Sequence, residues 1–317
     1  MNTYSMGMFQ YGGFTLGPQL PFEVGKIIFV DPSAGDDLQL GATLTTPVRT
    51  LSRALALATE NQNDVVYLIG GTDAEQTETL VWSKDGTHLI GMCSPGLVGK
   101  NARITQAASV ANLATVFHVT ASNCCIANIS IFQQVDNNTV VPKTVIAEGF
   151  GNQFLNCEMS GLNDSSMDVS GARSLVLGAI TNTIFRGCYI GSNVIAQSAS
   201  QAVIEISSEI ATMVVFEDCY VVMKSADVDN NFVFTLAGSE GSDTGLVFFK
   251  NCSFINDNVS SIMNYALGVP FVVDSHLILH NPYVVGATDS VASGTDGVAI
   301  LGFGTPAKKM GIGVSAP

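Results

Sequence analysis

A six-residue motif that recurs at a nearly constant interval constrains the fold of this chain more than any other feature. It has the form Phe-x-[Asn/Gly/Asp]-Cys-x-apolar, and its cysteines recur after 31, 31 and 33 residues. Its four clear copies begin at Phe154, Phe185, Phe216 and Phe249. Weaker copies lie at 126–131 and 279–284, and a degraded one lies at 89–92. Such self-similarity indicates a repeat architecture in which each unit stacks on the next.

The chemistry of the motif indicates a bend between two strands. Its third position is always Asn, Gly or Asp, the residues that best tolerate a left-handed backbone. In the clear copies the first, fourth and sixth positions are apolar. Strict alternation would put positions 1 and 4 on opposite faces of one strand, whereas a bend at position 3 points both inwards. One bend per repeat predicts an all-β fold, a parallel β-solenoid of about seven coils.

A helical solenoid is the alternative for a period of about 33 residues. The segments between the motif copies are rich in Val, Ile, Thr, Ser, Asn and Gly, and none sustains a helical apolar stripe. The exception precedes the repeat. Residues 47–59 place Leu51, Leu55 and Ala58 on one face, which predicts a short amphipathic helix.

The order of these elements resembles the start of right-handed parallel β-helices of the pectin-lyase-like superfamily. The resemblance rests on the helix after Asp-Pro-Ser-Ala-Gly at 31–35, the apolar run at 65–69 and the run at 85–91. It covers residues 26–290. It implies a helix that plugs the N-terminal end of the coil, an asparagine ladder at the tight turn, and stacked Phe and Cys inside. It is specific for the fold alone, because such coils serve lyases, hydrolases and non-enzymatic virion proteins.

The repeat and its flanks divide the chain into four segments. Residues 1–25 are expected to form an extended docking arm, 26–62 an N-terminal cap with the helix, 63–286 the parallel β-helix, and 287–317 a C-terminal cap or tail. The arm carries one charged residue among many large apolar ones, so it lacks a core of its own. We expect it to dock on a neighbouring subunit, with packing along its own coil as the alternative.

The charge balance disfavours two classes of partner. Thirteen basic and 27 acidic residues give a net charge of −14, which argues against binding to nucleic acid or to an anionic membrane surface. Only 13% of the residues are charged and 47% are hydrophobic, so we expect some apolar surface to be buried against other chains. The sequence shows neither a membrane-spanning run nor a signal-peptide pattern. We therefore expect reduced cysteines and assembly in a host cytoplasm.

Stacked coils place equivalent residues in columns about 4.8 Å apart. The motif phenylalanines predict one inner column, and Cys157, Cys188, Cys219 and Cys252 predict another. We expect these thiols to be free and inert, with a disulfide or a metal site as less favoured alternatives.

Two other motif positions are expected to face outwards. Position 2 reads Leu155, Arg186, Glu217, Lys250 and His280, which predicts a ladder of alternating charge. Position 5 carries Tyr189, Tyr220 and Tyr283. For this tyrosine row we favour a protein interface over an ordinary β-surface or a platform for sugar stacking.

Acidic residues in the loops after the motif are the candidates for a glycan-cleaving or Ca²⁺ site. They are Asp164, Asp168, Asp227, Asp229 and Asp257. A glycosidase needs two carboxylates about 5–9.5 Å apart, and Ca²⁺ needs several oxygen ligands. These residues share no fixed offset and neighbour Asn or Ser, as turn residues do. We therefore expect solvated turns, no catalytic residue, no metal and no cofactor, and we expect the four histidines to be structural.

Taken together, these features favour a non-enzymatic viral structural protein. By analogy of size and arm, we expect a bacteriophage capsid decoration (cement or head-spike) protein, located in the virion and bound to capsid protein or other virion subunits. A homo-oligomer is expected, with a trimer favoured. Interface residues are expected in the arm and on the wall: Met6, Met8, Phe9, Tyr11, Phe14, Phe22, Tyr189, Tyr220 and Tyr283. The alternative is a phage tailspike-type β-helix that binds or depolymerises polysaccharide, and an exported pectate-lyase-like enzyme is the least favoured.

Overall fold

Within the residues that the structure describes, the chain winds into a parallel β-solenoid. The computed structural model describes residues 10–11, 14–15, 25–133, 140–199, 202–206, 211–235, 245–268, 276–289 and 298–301. Three parallel sheets of ten, eight and seven strands run along the coil. The sheet of seven strands corresponds to about seven complete coils, as the repeat predicts. No helix in these ranges is long and apolar enough to cross a membrane.

Each coil contributes one strand to each sheet in turn. Sheet 1 contains Ile27–Val30, Val65–Ile69, His88–Met92, Cys125–Ala127, Gln153–Leu155, Ile184–Arg186, Val214–Glu217, Leu246–Lys250, His276–His280 and Val298–Leu301. Sheet 2 contains Ala74–Gln76, Arg103–Gln106, Ser130–Phe132, Glu158–Ser160, Tyr189–Gln197, Tyr220–Ser225, Ser253–Asn256 and Tyr283–Val285. Sheet 3 contains Leu80–Trp82, Phe117–Val119, Lys143–Phe150, Arg173–Thr181, Ala202–Ile206, Asn231–Thr235 and Leu267–Gly268.

Two short strand pairs complete the list of strands in the described ranges. Gln10–Tyr11 pairs antiparallel with Phe14–Thr15, and Met263–Tyr265 pairs parallel with Ala287–Asp289.

The motif copies stack in register, which confirms the predicted phenylalanine column. Phe154, Phe185, Phe216 and Phe249 pair in that order across sheet 1. Their ring centroids are 4.6, 4.6 and 4.5 Å apart, and the rings are nearly parallel. These separations are close to the spacing of adjacent strands, so the rings stack as the coils do.

The bend at motif position 3 is also confirmed. Every residue at this position has a left-handed backbone, with φ between 50° and 61°: Asn128, Asn156, Gly187, Asp218, Asn251 and Asn281. Where two adjacent coils both carry Asn or Asp at this position, their side chains form a hydrogen bond with each other. The Asn156 amide donates to Asn128 at 3.0 Å, and the Asn281 amide donates to Asn251 at 3.3 Å. Gly187 interrupts this ladder because it has no side chain.

The cysteine column packs inside the coil with free thiols. Each thiol donates to a backbone carbonyl oxygen of the preceding coil, as in Cys188 to Phe154 and Cys219 to Phe185, both at 3.3 Å. Burial raises the pKa of the Cys157 thiol and that of the Cys188 thiol well above the usual value. These cysteines therefore act as small buried residues that stay protonated at neutral pH.

A short helix closes the N-terminal end of the solenoid, but it is shorter than predicted. It spans Leu51–Leu57, and the Thr50 side chain caps it by accepting from the backbone N–H of Arg53. The predicted range 47–59 is wrong at its start, because Val48 forms an isolated parallel β-bridge with Val30. Leu51, Ala54 and Leu55 bury against the core. Lys84 donates to the carbonyl oxygens of Ala56 and Ala58 at 3.0 and 2.6 Å, and so satisfies the last turn.

The coil extends past both boundaries set from the motif. The strand Ile27–Val30 lies in the segment predicted as a cap, yet it pairs in parallel with Val65–Ile69 as the first strand of sheet 1. The strand Val298–Leu301 lies in the predicted tail and is the last strand of the same sheet. Neither strand lies in one of the motif copies.

Candidate functional site on the outer walls

The predicted arm lies almost entirely outside the described residues. Met6, Met8, Phe9 and Phe22 are outside them, and Tyr11 and Phe14 are described only by their antiparallel backbone pairing. Docking by these six residues therefore stays a prediction.

The tyrosines at motif position 5 form one row on the outer face of sheet 2, which we call the tyrosine row. Tyr189 pairs with Tyr220, Tyr220 with Ser253, and Ser253 with Tyr283. Tyr220 is 39% exposed and Tyr283 60%, while Tyr189 is half-buried. Partial burial raises the pKa of Tyr189, with further contributions from Glu158 and Asp257. The structure thus brings these side chains together, and their role as an interface stays a prediction.

Position 5 does not face solvent in the coils before the tyrosine row. Ser130 and Glu158 are buried because residues 93–101 cross the outer face of sheet 2 at this point. The Gly99 N–H donates to the Glu158 carboxylate at 2.8 Å, and the Asn156 amide donates to the carbonyl oxygen of Pro95 at 3.4 Å. The prediction that position 5 is exposed throughout is therefore wrong for these two coils.

The predicted charge ladder is present on the outer face of sheet 1. Glu217 accepts from Arg186 on one side and from Lys250 on the other, both at 2.7 Å. These hydrogen bonds lower the pKa of Glu217, and the bond to Glu217 raises the pKa of Lys250. The three side chains belong to three successive coils, so they link the coils along one wall.

Two of the candidate acidic residues accept hydrogen bonds in the loop before the strand Arg173–Thr181 of sheet 3. The Asp164 carboxylate caps the 3₁₀ turn Ser165–Met167, and hydrogen bonds from Ser166 lower its pKa. The Asp168 carboxylate accepts from the backbone N–H and hydroxyl of Ser198 and from the backbone N–H of Ala199, at 2.7 to 2.9 Å. Asp168 therefore joins its own coil to the next.

The other three candidates also bind nearby donors. Asp227 accepts from the backbone N–H of Asp229 at 3.0 Å, and Asp229 accepts from the Asn264 amide at 3.2 Å. Asp257 accepts from Asn193 at 2.9 Å. No group of three or more His, Cys, Asp or Glu side chains suited to a metal ion occurs in the part of the chain that the structure describes. The five aspartates hold turns or link coils through these hydrogen bonds, and their interpretation as solvated turns stays a prediction.

Sheet 3 carries a cluster of charged side chains that the motif analysis did not identify. Glu205 is buried and pairs with Arg173 at 3.0 Å and with Lys143 at 3.7 Å. On the same sheet, the His118 ring lies 3.0 Å from the Glu148 carboxylate. His118 and Glu148 are 30 residues apart, close to the repeat interval, so a search for charged residues at that spacing would have found this pair.

Comparison with known proteins identifies the fold and leaves the chemistry open. No protein-family model matches the sequence, and no curated protein matches it. A pectin methylesterase from Aspergillus niger superimposes with a TM-score of 0.53 at 14% identity, over 92% of this chain and 91% of that chain. A pectate lyase gives 0.51 at 14% identity over 93% and 83%. A pectin methylesterase from Erwinia chrysanthemi gives 0.51 at 11% identity over 88% and 81%.

The chain has the parallel β-helix fold that these pectin methylesterases and this pectate lyase share. The resemblance inferred from the sequence is confirmed at this level, across most of the chain. Identities of 11 to 14% establish shared architecture and no shared activity.

Proposed function

We propose that this chain is a non-enzymatic structural protein of a bacteriophage particle, a capsid decoration (cement or head-spike) protein. Residues 1–25 attach it to the capsid protein or to other virion subunits, and the β-helix projects outwards. The tyrosine row contacts a neighbouring subunit. Three copies are favoured, and the protein resides in the virion.

The observation that carries the proposal is the use of charged side chains on the outer walls to join coils. Arg186, Glu217 and Lys250 link three coils on sheet 1. Lys143, Arg173 and Glu205 link three coils on sheet 3. Charges used in this way resist slippage of one coil over the next, which suits a projecting rod that must keep its shape.

The attachment of the chain to particles tests the proposal. Tagged full-length protein should sediment with capsid-containing particles from producing cells in a density gradient. A chain that lacks residues 1–25 should keep the circular dichroism of a β-protein and stay at the top of the gradient. Full occupancy of the particle by the truncated chain would contradict anchoring through the arm.

A matched pair of wall variants tests the tyrosine row. Tyr283→Glu places a charge in the row, whereas Tyr265→Glu places the same charge at a tyrosine of 37% exposure outside it. We expect lower occupancy of the particle for Tyr283→Glu and wild-type occupancy for Tyr265→Glu. Equal occupancy for the two variants would remove the row from the interface.

A second candidate, a tailspike-type β-helix that binds or depolymerises polysaccharide, is favoured by sheet 3. That wall holds an imidazole–carboxylate pair and a buried carboxylate beside two cations, groups that general acid–base chemistry uses. The similar solved structures are a pectate lyase and pectin methylesterases. Depolymerisation of host capsular polysaccharide by purified protein, lost in Glu148→Gln and retained in Glu75→Gln, would establish this candidate in place of the first.

A further inference from the structure

The outer face of sheet 1 is apolar and buried in the first coils of the solenoid. One column of outward-facing side chains pairs in register along five successive strands: Phe29, Tyr67, Ile90, Ala127 and Leu155. The first four are no more than 4% exposed. Together with Val65 and Cys125 they form an apolar cluster that is separate from the core, which we call the outer cluster.

This burial ends at one level of the wall. Leu155 is half-buried, and the next member of its column is Arg186, whose side chain is 56% exposed. In the neighbouring column Cys125 is buried, whereas its register partner Gln153 is exposed. The outer face of sheet 1 is therefore covered along its first four strands and open beyond them.

The residues that the structure describes supply little of this cover. Of the partly buried hydrophobic residues that pack against the outer cluster in the described ranges, Leu44 alone lies outside sheet 1. Four adjacent strands extend over roughly 14 Å, which is more than one leucine side chain spans. The outer cluster is buried in a single chain, so its cover comes from the same chain and not from a neighbouring copy.

Position along the chain selects the N-terminal segment, residues 1–24, as this cover. The segment leads directly into Ile27–Val30, the first strand of sheet 1 and a part of the covered wall. Residues 134–139 lie between strands of sheets 2 and 3, and the undescribed ranges from 200 onwards adjoin later coils. The C-terminal residues follow Val298–Leu301, the last strand of sheet 1, at the opposite end.

The composition and length of the N-terminal segment suit an uncharged apolar wall. Twenty-four extended residues reach as far as roughly 80 Å, several times the length of the covered wall. Within the segment, Gln10–Tyr11 pairs antiparallel with Phe14–Thr15, and so short a hairpin is not stable without a surface to pack on. Glu23 is the one charged side chain. The large apolar and aromatic ones include Met6, Met8, Phe9, Tyr11, Phe14, Leu16, Leu20 and Phe22.

We propose that the N-terminal segment docks on the outer cluster of its own chain and ends its contact where the charge ladder begins. Burial of apolar side chains on both partners holds it there. The exposed side chains of Gln153 and Arg186 mark the far limit of the contact. The docking is a property of the free chain and does not depend on the proposed function. A docked segment can still contact a particle through its outward side.

The thiol of Cys125 reports the docking, because it belongs to the outer cluster whereas Cys157 belongs to the core. Burial raises the pKa of the Cys125 thiol to about 12. In a chain that lacks residues 1–24, a thiol reagent at about pH 8 should label Cys125 roughly a hundredfold faster than in the full chain, while Cys157 stays protected. An excess of synthetic peptide 1–24 should restore slow labelling. Mass spectrometry of labelled peptides measures both cysteines.

A matched pair of full-length variants tests the same contact without truncation. Tyr11 and Phe14 are register partners in the hairpin, and so are Gln10 and Thr15. Tyr11→Asp with Phe14→Asp removes two aromatic rings and should release the segment, so that Cys125 labels fast. Gln10→Asp with Thr15→Asp adds the same charge at the neighbouring polar positions and should label as wild type does. Circular dichroism checks that both variants are folded.

Slow labelling of Cys125 in the folded truncated chain overturns the inference, because another part of the chain then covers the wall. Slow labelling in the folded variant with Tyr11→Asp and Phe14→Asp does the same. Protection that disappears on dilution, together with dissociation in sedimentation velocity, also overturns it, since the segment then docks on a neighbouring copy. If Cys157 also labels fast in the truncated chain, that chain has unfolded, and the full-length pair decides. None of these outcomes depends on attachment to particles.

Discussion

At the scale of single residues, the tight turn depends on side chains that accept a left-handed backbone. Asn251 has a φ of 53°. Its side-chain amide nitrogen donates to the Asp218 carboxylate, and its side-chain Oδ1 accepts from the Asn281 amide, both at 3.3 Å. Gly187 occupies the equivalent position in another coil without a side chain. The left-handed backbone and the side-chain hydrogen bonds are thus two separable contributions to the stability of the turn.

Replacement of Asn251 separates these contributions. Asn251→Ala should lower the free energy of unfolding by roughly 1–2 kcal/mol, because alanine lacks the short polar side chain that lets asparagine adopt the left-handed conformation. Asn251→Gly should cost less, although it removes the same amide. Urea denaturation measures both. A glycine variant no more stable than the alanine variant would show that the ladder bonds, and not the backbone, dominate.

A buried histidine predicts a pH dependence of stability. His88 is 3% exposed, and its Nδ1 accepts from the backbone N–H of Cys125 at 3.0 Å. Burial lowers its pKa to about 4, while the nearby Asp64 carboxylate acts in the opposite direction. The unfolded chain binds a proton near pH 6.5, whereas the folded chain stays neutral until about pH 4. The stability that neutral His88 contributes is therefore lost as the pH falls through this window.

The variant His88→Gln isolates this effect. Its stability deficit relative to wild type should shrink by roughly 2 kcal/mol between pH 7 and about pH 4.5, because glutamine does not titrate. Urea denaturation of both proteins at the two pH values measures the change. Carboxylates elsewhere in the chain affect both proteins equally. A constant deficit would mean that His88 titrates normally in the folded chain.

At the scale of elements, the strands of sheet 1 are held together by columns as well as by backbone hydrogen bonds. Phe216 stacks between Phe185 and Phe249 at 4.6 and 4.5 Å and has no exposed surface. Cys219 lies beside it in the second column and is also fully buried. Each column member contacts the coil before it and the coil after it, so a defect in one affects two strand pairs.

Truncation of the central phenylalanine should be severe. We expect Phe216→Ala to lower the free energy of unfolding by about 3–5 kcal/mol, since it removes a fully buried ring and leaves a cavity between coils. Phe150→Ala, at a 49% exposed position, should change it by less than about 0.5 kcal/mol. Chemical denaturation measures both variants, and similar values for the two would contradict the column as a source of stability.

The cysteine column predicts a pattern of thiol reactivity. Of the seven cysteines, Cys93 alone is partly exposed, and the other six are buried. A thiol reagent at about pH 8 should therefore label Cys93 rapidly and the others only after unfolding, because burial raises the pKa of Cys124, Cys125 and Cys157. Mass spectrometry of labelled peptides reads this out. Fast labelling of Cys157 in the folded protein would contradict a closed column.

At the scale of the whole molecule, a solenoid must protect its ends. The first strand of sheet 1, Ile27–Val30, would leave an open sheet edge that invites pairing with other chains. The segment after this strand covers part of that edge, because the Phe29 N–H donates to the Gly41 carbonyl oxygen at 2.7 Å and the Phe29 carbonyl oxygen accepts from the Val48 N–H at 2.9 Å. The helix Leu51–Leu57 buries Leu51, Ala54 and Leu55 against the core near this end, and Lys84 satisfies its last carbonyl oxygens. The cap is thus fixed by residues from two different coils.

A charge under the helix should open this end. Leu51→Asp places a carboxylate at a fully buried position, so we expect loss of the helix and self-association through the exposed end. Ser52→Asp adds the same charge at the neighbouring exposed position and should leave the protein unchanged. Light scattering on storage measures the difference. A Leu51→Asp protein that remains dispersed and as stable as wild type would show that the helix is dispensable for the coil.

The sequence by itself determined the coil, its tight turn and its inner columns. These follow from residue identity at a fixed interval: Asn, Gly or Asp must stand where the backbone is left-handed, and Phe and Cys must stack where coils repeat. Only the tertiary structure decided which outward positions reach solvent and which charges meet. Residues 93–101 bury Glu158, and Glu205 joins Lys143 and Arg173. The reason is physical: the path of residues 93–101 does not follow the repeat, and Glu205 pairs in register with Val176, so its contact with Arg173 is a diagonal one that depends on how far the side chains reach.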